Sequence, residues 1–174
     1  MHFFITQYSP KLIKKLGIIL ILLMACGCND DARSRLNSLK QGEIILPSGK
    51  SMRVYVAKSP IEQLKGLSNV TKDFFKDSDS MLFPGYEYKL RQFWMPETHF
   101  NLDIVFLTKD FYVLDVHRNL QSFPDKEPKS KIPKSKMVRA WHVLELKSSS
   151  ELAKEIVPGI SLKWKGPNDL LQKE

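Results

Sequence analysis

The chain has 174 residues, with 27 Lys and Arg against 19 Asp and Glu and a net charge of +8. An apolar content of 43% excludes a disordered chain, and the length leaves room for one domain beside a targeting segment. Both cysteines, Cys26 and Cys28, precede the body of the chain, which excludes a disulfide framework and a zinc-finger array there.

At the N-terminus Lys11, Lys14 and Lys15 precede an apolar run at 16–25. The run has the length of a signal-peptide core and is too short for a spanning helix, which needs ~20 residues. It ends in Leu23-Met24-Ala25-Cys26-Gly27-Cys28, which resembles the lipobox of bacterial lipoproteins. In that motif, cleavage precedes a cysteine that carries a diacylglycerol. Residues 1–25 are therefore expected to be a lipoprotein signal peptide, with Cys26 as the lipidated residue and Cys28 as the alternative. The resemblance implies the bacterial cell envelope, outside the cytoplasm on the periplasmic side or outer membrane, and a membrane partner through the lipid. Residues 26–41 are polar and read as a flexible tether, although Leu36 and Leu39 suit the start of a short helix.

A domain is expected over 42–165. Runs at 43–46 and 51–57, split by Pro47-Ser48-Gly49, read as a β-hairpin. Ser59-Pro60-Ile61-Glu62 opens a short helix with a capping box, and Gly66 stops it. Residues 71–80 read as a loop, and Met81-Leu82-Phe83 as a strand closed by Pro84-Gly85. Strands are expected at 90–95, 102–107, 111–116, 138–146 and 160–164, and a second short helix at 151–156. Three prolines and five lysines between 120 and 136 point to a long exposed loop. The tail 166–174 is polar and expected to fray. The fold class that follows is all-β with two short helices, a compact β-sandwich or barrel of about seven or eight short strands.

Several blocks resemble the DUF192 family, a bacterial and archaeal domain of unknown function. They are Gly66-Leu67, Met81-Leu82-Phe83, Phe93-Trp94-Met95 with Thr98 and Leu102-Asp103-Ile104, and Leu144-Glu145-Leu146 before Gly159. The resemblance implies an all-β sandwich-like fold and no established activity. The sequence departs from the family pattern at Ser68-Asn69-Val70, where Met-x-Arg is usual, and at Pro96-Glu97, where Lys-Asn is usual. It departs again at Asn101, in the place of Pro, and at Ser80, in the place of Gly.

Five residues are ligand-binding candidates: Trp94, Thr98, Asp103, Trp141 and Glu145. Asp103 and Glu145 each sit between apolar strand residues, where an acid must be paired, hydrogen-bonded or exposed. Asp103 is either a site carboxylate beside Thr98 or an acid that fixes a backbone corner. Glu145 is either a site carboxylate or the partner of Arg91 or Arg139. Trp94 and Trp141 are either core or a surface for a glycan ligand. His99, His117 and His142 are too scattered for a metal site, and no cofactor is expected. The lysines near 126–136 suit anionic lipid, whereas the lack of interleaved aromatics speaks against nucleic acid. The leading expectation is a lipid-anchored envelope domain binding an unidentified ligand or protein partner. The alternatives are an envelope hydrolase using Asp103 and Glu145, and a structural component of an envelope complex.

Overall fold

The computed structural model describes residues 27–125 and 127–172. The signal-peptide reading of residues 1–25 and the lipidation reading of Cys26 fall outside them. Among the described residues there are nine strands and three α-helices. In chain order they are α1 (Gly27–Ser38), β1 (Lys40–Ile45), β2 (Ser51–Val56), α2 (Pro60–Lys65), β3 (Asp79–Phe83) and β4 (Lys89–Arg91). There follow β5 (Leu102–Leu107), β6 (Val113–Leu120), β7 (Val138–Ala140), β8 (His142–Lys147), α3 (Glu151–Glu155) and β9 (Lys163–Lys165).

Seven strands form one sheet in the order β6-β5-β8-β3-β2-β1-β9, and β4 pairs with β7 in a small second sheet. Every neighbour in the large sheet is antiparallel except β2–β3. The sheet curls until its ends meet. Val113 N–H donates to Ile160 O at 2.9 Å, Gly159 N–H to Val113 O at 3.0 Å and Leu162 N–H to Phe111 O at 3.0 Å. These bonds join the start of β6 to the segment entering β9, so the all-β expectation resolves to a barrel-like sheet.

Strand side chains alternate between faces, and here both faces are buried. Met52, Val54, Val56, Leu82, Val105 and Leu144 fill the inside with Ile156 and Leu162. Tyr55, Met81, Phe83, Ile104, Phe106 and Val143 point outward into a second apolar cluster. The outer cluster is closed by Leu36 and Leu39, Leu67 and Val70, Met95 and Ile132. Every residue of β3, β5 and β8 is accordingly buried, whichever face it points to.

Several expectations are corrected. The stretch expected as a tether forms α1, because Ala32, Leu36 and Leu39 recur at helical spacing and are all buried. The expected strand 90–95 is reduced to β4, and Phe93–Met95 runs on irregularly because its backbone partners lie in the proline-rich loop. Met95 N–H donates to Pro133 O at 3.2 Å and Ser135 N–H to Phe93 O at 2.8 Å. That loop is therefore not simply exposed: Ile132 and Ser135 are buried in it. The expected strand 138–146 is broken at Trp141 into β7 and β8. The tail turns once as a 3-10 helix, Asn168–Leu171, and buries Leu170 against the inner core.

Candidate ligand cleft

The crossover from β2 to the parallel β3 must pass over the outer face of the sheet, and it carries α2. Ser59 caps this helix: its hydroxyl accepts from Glu62 N–H, while the Glu62 carboxylate accepts from Ser59 N–H at 2.7 Å. None of its side chains is buried, so the caps and not a packed face hold it. Gly66 ends it at φ +44, and a Cβ there would approach the Phe83 ring at 3.2 Å.

The turn after α2 is bonded to the corner at 94–98. Ser68 Oγ donates to Pro96 O at 2.8 Å, and Asn69 donates from its backbone to Glu97 O at 2.7 Å and from Nδ2 to Glu97 Oε1 at 2.9 Å. Asn69 and Glu97 both adopt left-handed φ, at +61 and +54. Behind the corner, Thr98 and Phe123 exchange backbone bonds, each at 3.0 Å. From α1, Arg35 donates to Gly66 O at 2.7 Å and to Ser68 O at 2.6 Å, and so docks the helix on the same turn.

These elements enclose an outer cleft of about 800 Å³ between α1, the end of α2, the corner and the 127–132 segment. A narrow inner cavity of about 40 Å³ lies beside it toward the sheet, and the two share Leu64, Lys65, Ser68, Trp94 and Pro96 as wall residues. The inner end is apolar, with Phe83, Phe93, Met95 and Leu102, except for Thr98 and Glu145. Phe83 and Phe93 meet edge to face with centroids 4.9 Å apart.

Glu145 comes from the middle of β8, where its register partners are Met81 of β3 and Ile104 of β5. It is 4% exposed, and among the described residues it makes no hydrogen bond or ion pair, with Arg91 and Arg139 or with any other group. Burial alone pushes its carboxyl up to about 8. Trp94 stands at the mouth, 45% exposed, and is not core. The Thr98 hydroxyl donates to Pro96 O at 3.3 Å.

Asp103 does not join them. Its register partner on β8 is Leu146, so it points to the opposite face of the sheet from Glu145. Its carboxylate accepts from Arg118 Nη1 at 2.6 Å, Asn119 N–H at 2.8 Å and Ser148 Oγ at 2.8 Å. The β5–β6 register slips opposite Asp103, and Asn119 has φ +53. Asp103 thus fixes a bulge in β6. Trp141 also lies outside the cleft, at the break between β7 and β8, with Lys109 Nζ 5.5 Å from its ring centre. Sequence reasoning missed Arg35, Leu64 and Ile132 as cleft residues. The signal for Arg35 was its place beside Leu36 in a helix-spaced stretch. Among the described residues no group of three His, Cys, Asp or Glu side chains converges as a metal site.

A family model described as DUF192, uncharacterized ACR, matches residues 43–164. The chain belongs to the DUF192 family. The DUF192 domain supplies every cleft wall except α1, which precedes the matched residues. No functionally curated protein matches the sequence. Two solved structures are similar. A Sinorhizobium meliloti 1021 protein, described provisionally as a transcription regulator, is 26% identical, with a TM-score of 0.57 over 73% of this chain and 95% of that one. A Novosphingobium aromaticivorans DSM 12444 protein of unknown function is 26% identical, with a TM-score of 0.56 over 72% and 85%.

Proposed function

We propose that this DUF192 protein is a lipid-anchored domain of the bacterial envelope that binds a small ligand in the cleft between α1, α2 and the Trp94 corner. The observation that carries the reading is the adjacency of the two cavities, which share five wall residues. A cleft of about 800 Å³ is of the size that holds small molecules, and a smaller cavity lined by Phe83 and Phe93 adjoins it. Trp94 at the mouth offers a half-exposed ring for stacking. The two-carboxylate hydrolase finds no support here, because Asp103 and Glu145 occupy opposite faces of the sheet and Asp103 is fully engaged.

The test is a thermal-shift screen of the full chain in detergent against small neutral, anionic and cationic metabolites and divalent cations. At least one class is expected to raise Tm in the native protein, and Trp94→Ala is expected to lose most of the shift. A ligand at a hundred times its Kd contributes about 2.7 kcal/mol, well within reach of the measurement. A screen in which nothing shifts Tm, or in which Trp94→Ala responds like the native chain, overturns the reading.

A further inference from the structure

The inner cavity poses a chemical question that its own residues do not answer. Glu145 presents a carboxyl that is 4% exposed and without a partner among the described residues. The polar groups around it are already spent on one another. Arg35 serves the Gly66 and Ser68 carbonyls, the Ser68 and Thr98 hydroxyls both serve Pro96 O, and Gln63 Nε2 donates to Pro84 O at 3.1 Å. Lys65, the other charged side chain on the inner wall, is exposed and makes no ion pair with Glu145. A largely buried carboxyl with no protein donor destabilises a fold, and a leucine there would pack without that penalty. Its surroundings suit one kind of visitor. Phe83, Phe93 and Trp94 line the cavity, and aromatic faces attract cations. The space, about 40 Å³, admits a single small head group.

We propose that the inner cavity receives the primary ammonium head of an alkylamine-class ligand, paired with the Glu145 carboxylate, while the alkyl chain lies along Trp94, Leu64 and Pro96 toward the outer cleft. This rests on the ligand-binding reading above and assigns the ligand its charge. The pairing moves a proton. Burial holds the empty-site carboxyl protonated up to about pH 8, so Glu145 gives its proton to solvent as the already protonated amine enters. Binding at pH 7 therefore releases about one proton, and affinity rises about tenfold between pH 7 and pH 9 as the carboxyl ionises unaided.

The experiment is isothermal titration of the full chain in detergent with butylamine, butanol and butyrate, on the native protein and Glu145→Gln. The native chain is expected to bind butylamine about tenfold more tightly than butanol, the margin of one charge-assisted hydrogen bond. Its binding heats are expected to differ between phosphate and Tris, reporting the released proton. Glu145→Gln is expected to lose both the preference and the pH dependence. Butanol or butyrate binding as tightly as butylamine, a pH-independent affinity in the native chain, or no binding of butylamine overturns the proposal. The native pH profile decides the matter even where the variant folds poorly. Trp94-dependent stabilisation by a neutral or anionic compound, without preference for the amine, removes the amine and leaves the binding reading standing.

Discussion

Asp103 and Glu145 stand in neighbouring strands with opposite surroundings, and the difference sets what each does to stability. Asp103 accepts three hydrogen bonds and holds the β6 bulge. Asp103→Ala strands the Asn119 N–H and frees Arg118, which is partly exposed and keeps its bonds to Ala153 O and Ile156 O. The expected loss is about 2 kcal/mol in urea denaturation, with little change in cleft binding. Glu145 acts in the reverse sense. Burial raises its folded pKa to about 8 from the ordinary 4.5, so the folded state holds a proton that the unfolded state has released. Stability therefore falls as pH rises from about 4.5 to about 8, by at most ~1.4 kcal/mol per pH unit from this group. Glu145→Gln is expected to flatten that slope and to be more stable than the native chain at pH 8, as measured by denaturation at several pH values. A parallel slope in the variant would show that the carboxyl is not the source.

Among the elements, α1 and α2 make the cleft without contributing much core. The helix α2 buries nothing and depends on its capping box, so Ser59→Ala is expected to cost about 1 kcal/mol and to speed hydrogen exchange across Pro60–Lys65. The docking of α1 depends on Ala32, Leu36 and the two bonds from Arg35. Arg35→Ala is expected to raise exchange in α1 and to weaken cleft ligands while leaving global Tm within a few degrees. The α2 boundaries were legible because Ser59, Pro60, Glu62 and Gly66 act locally, through caps that need no distant partner. The limits of β5 were legible for a similar reason, a bounded apolar run. Phe93–Met95 misled because an aromatic run reads as a strand, whereas its hydrogen-bond partners lie some forty residues on, at Pro133 and Ser135. The α1 helix was only hinted at by Leu36 and Leu39, because polar residues surround its buried Ala32 and Leu36, and only the outer sheet face shows what they pack against.

At the scale of the molecule, the all-β class was readable from short apolar runs and turn residues, but the closure was not. It depends on bonds between residues 111–113 and 159–162, a pairing that no local pattern announces. The same limit applied to the site. Trp94, Thr98 and Glu145 could be singled out by residue type, but the register that turns Glu145 into the cleft and Asp103 away from it is a long-range fact. Three of the positions that depart from the resembled pattern, Ser68, Pro96 and Glu97, lie in one wall of the cleft, where Ser68 bonds to Pro96 and Asn69 to Glu97. The proposed lipid attachment is tested on the whole chain. Replacing both Cys26 and Cys28 by Ser is expected to release the protein from the membrane fraction, since two or more acyl chains anchor stably and none does not. A double variant that still sediments with membranes would refute the lipid anchor.

Under the lipid anchor proposed above, the seam between the first residues of β6 and the approach to β9 also bears on life at a crowded bilayer. Molecules confined to a surface meet far more often than in bulk, and a sheet with an open rim would offer each newcomer a template for strand addition. By stitching part of its own rim, at residues 111–113 and 159–162, the large sheet withdraws those donors and acceptors from its neighbours. A high density of copies then need not become an aggregate.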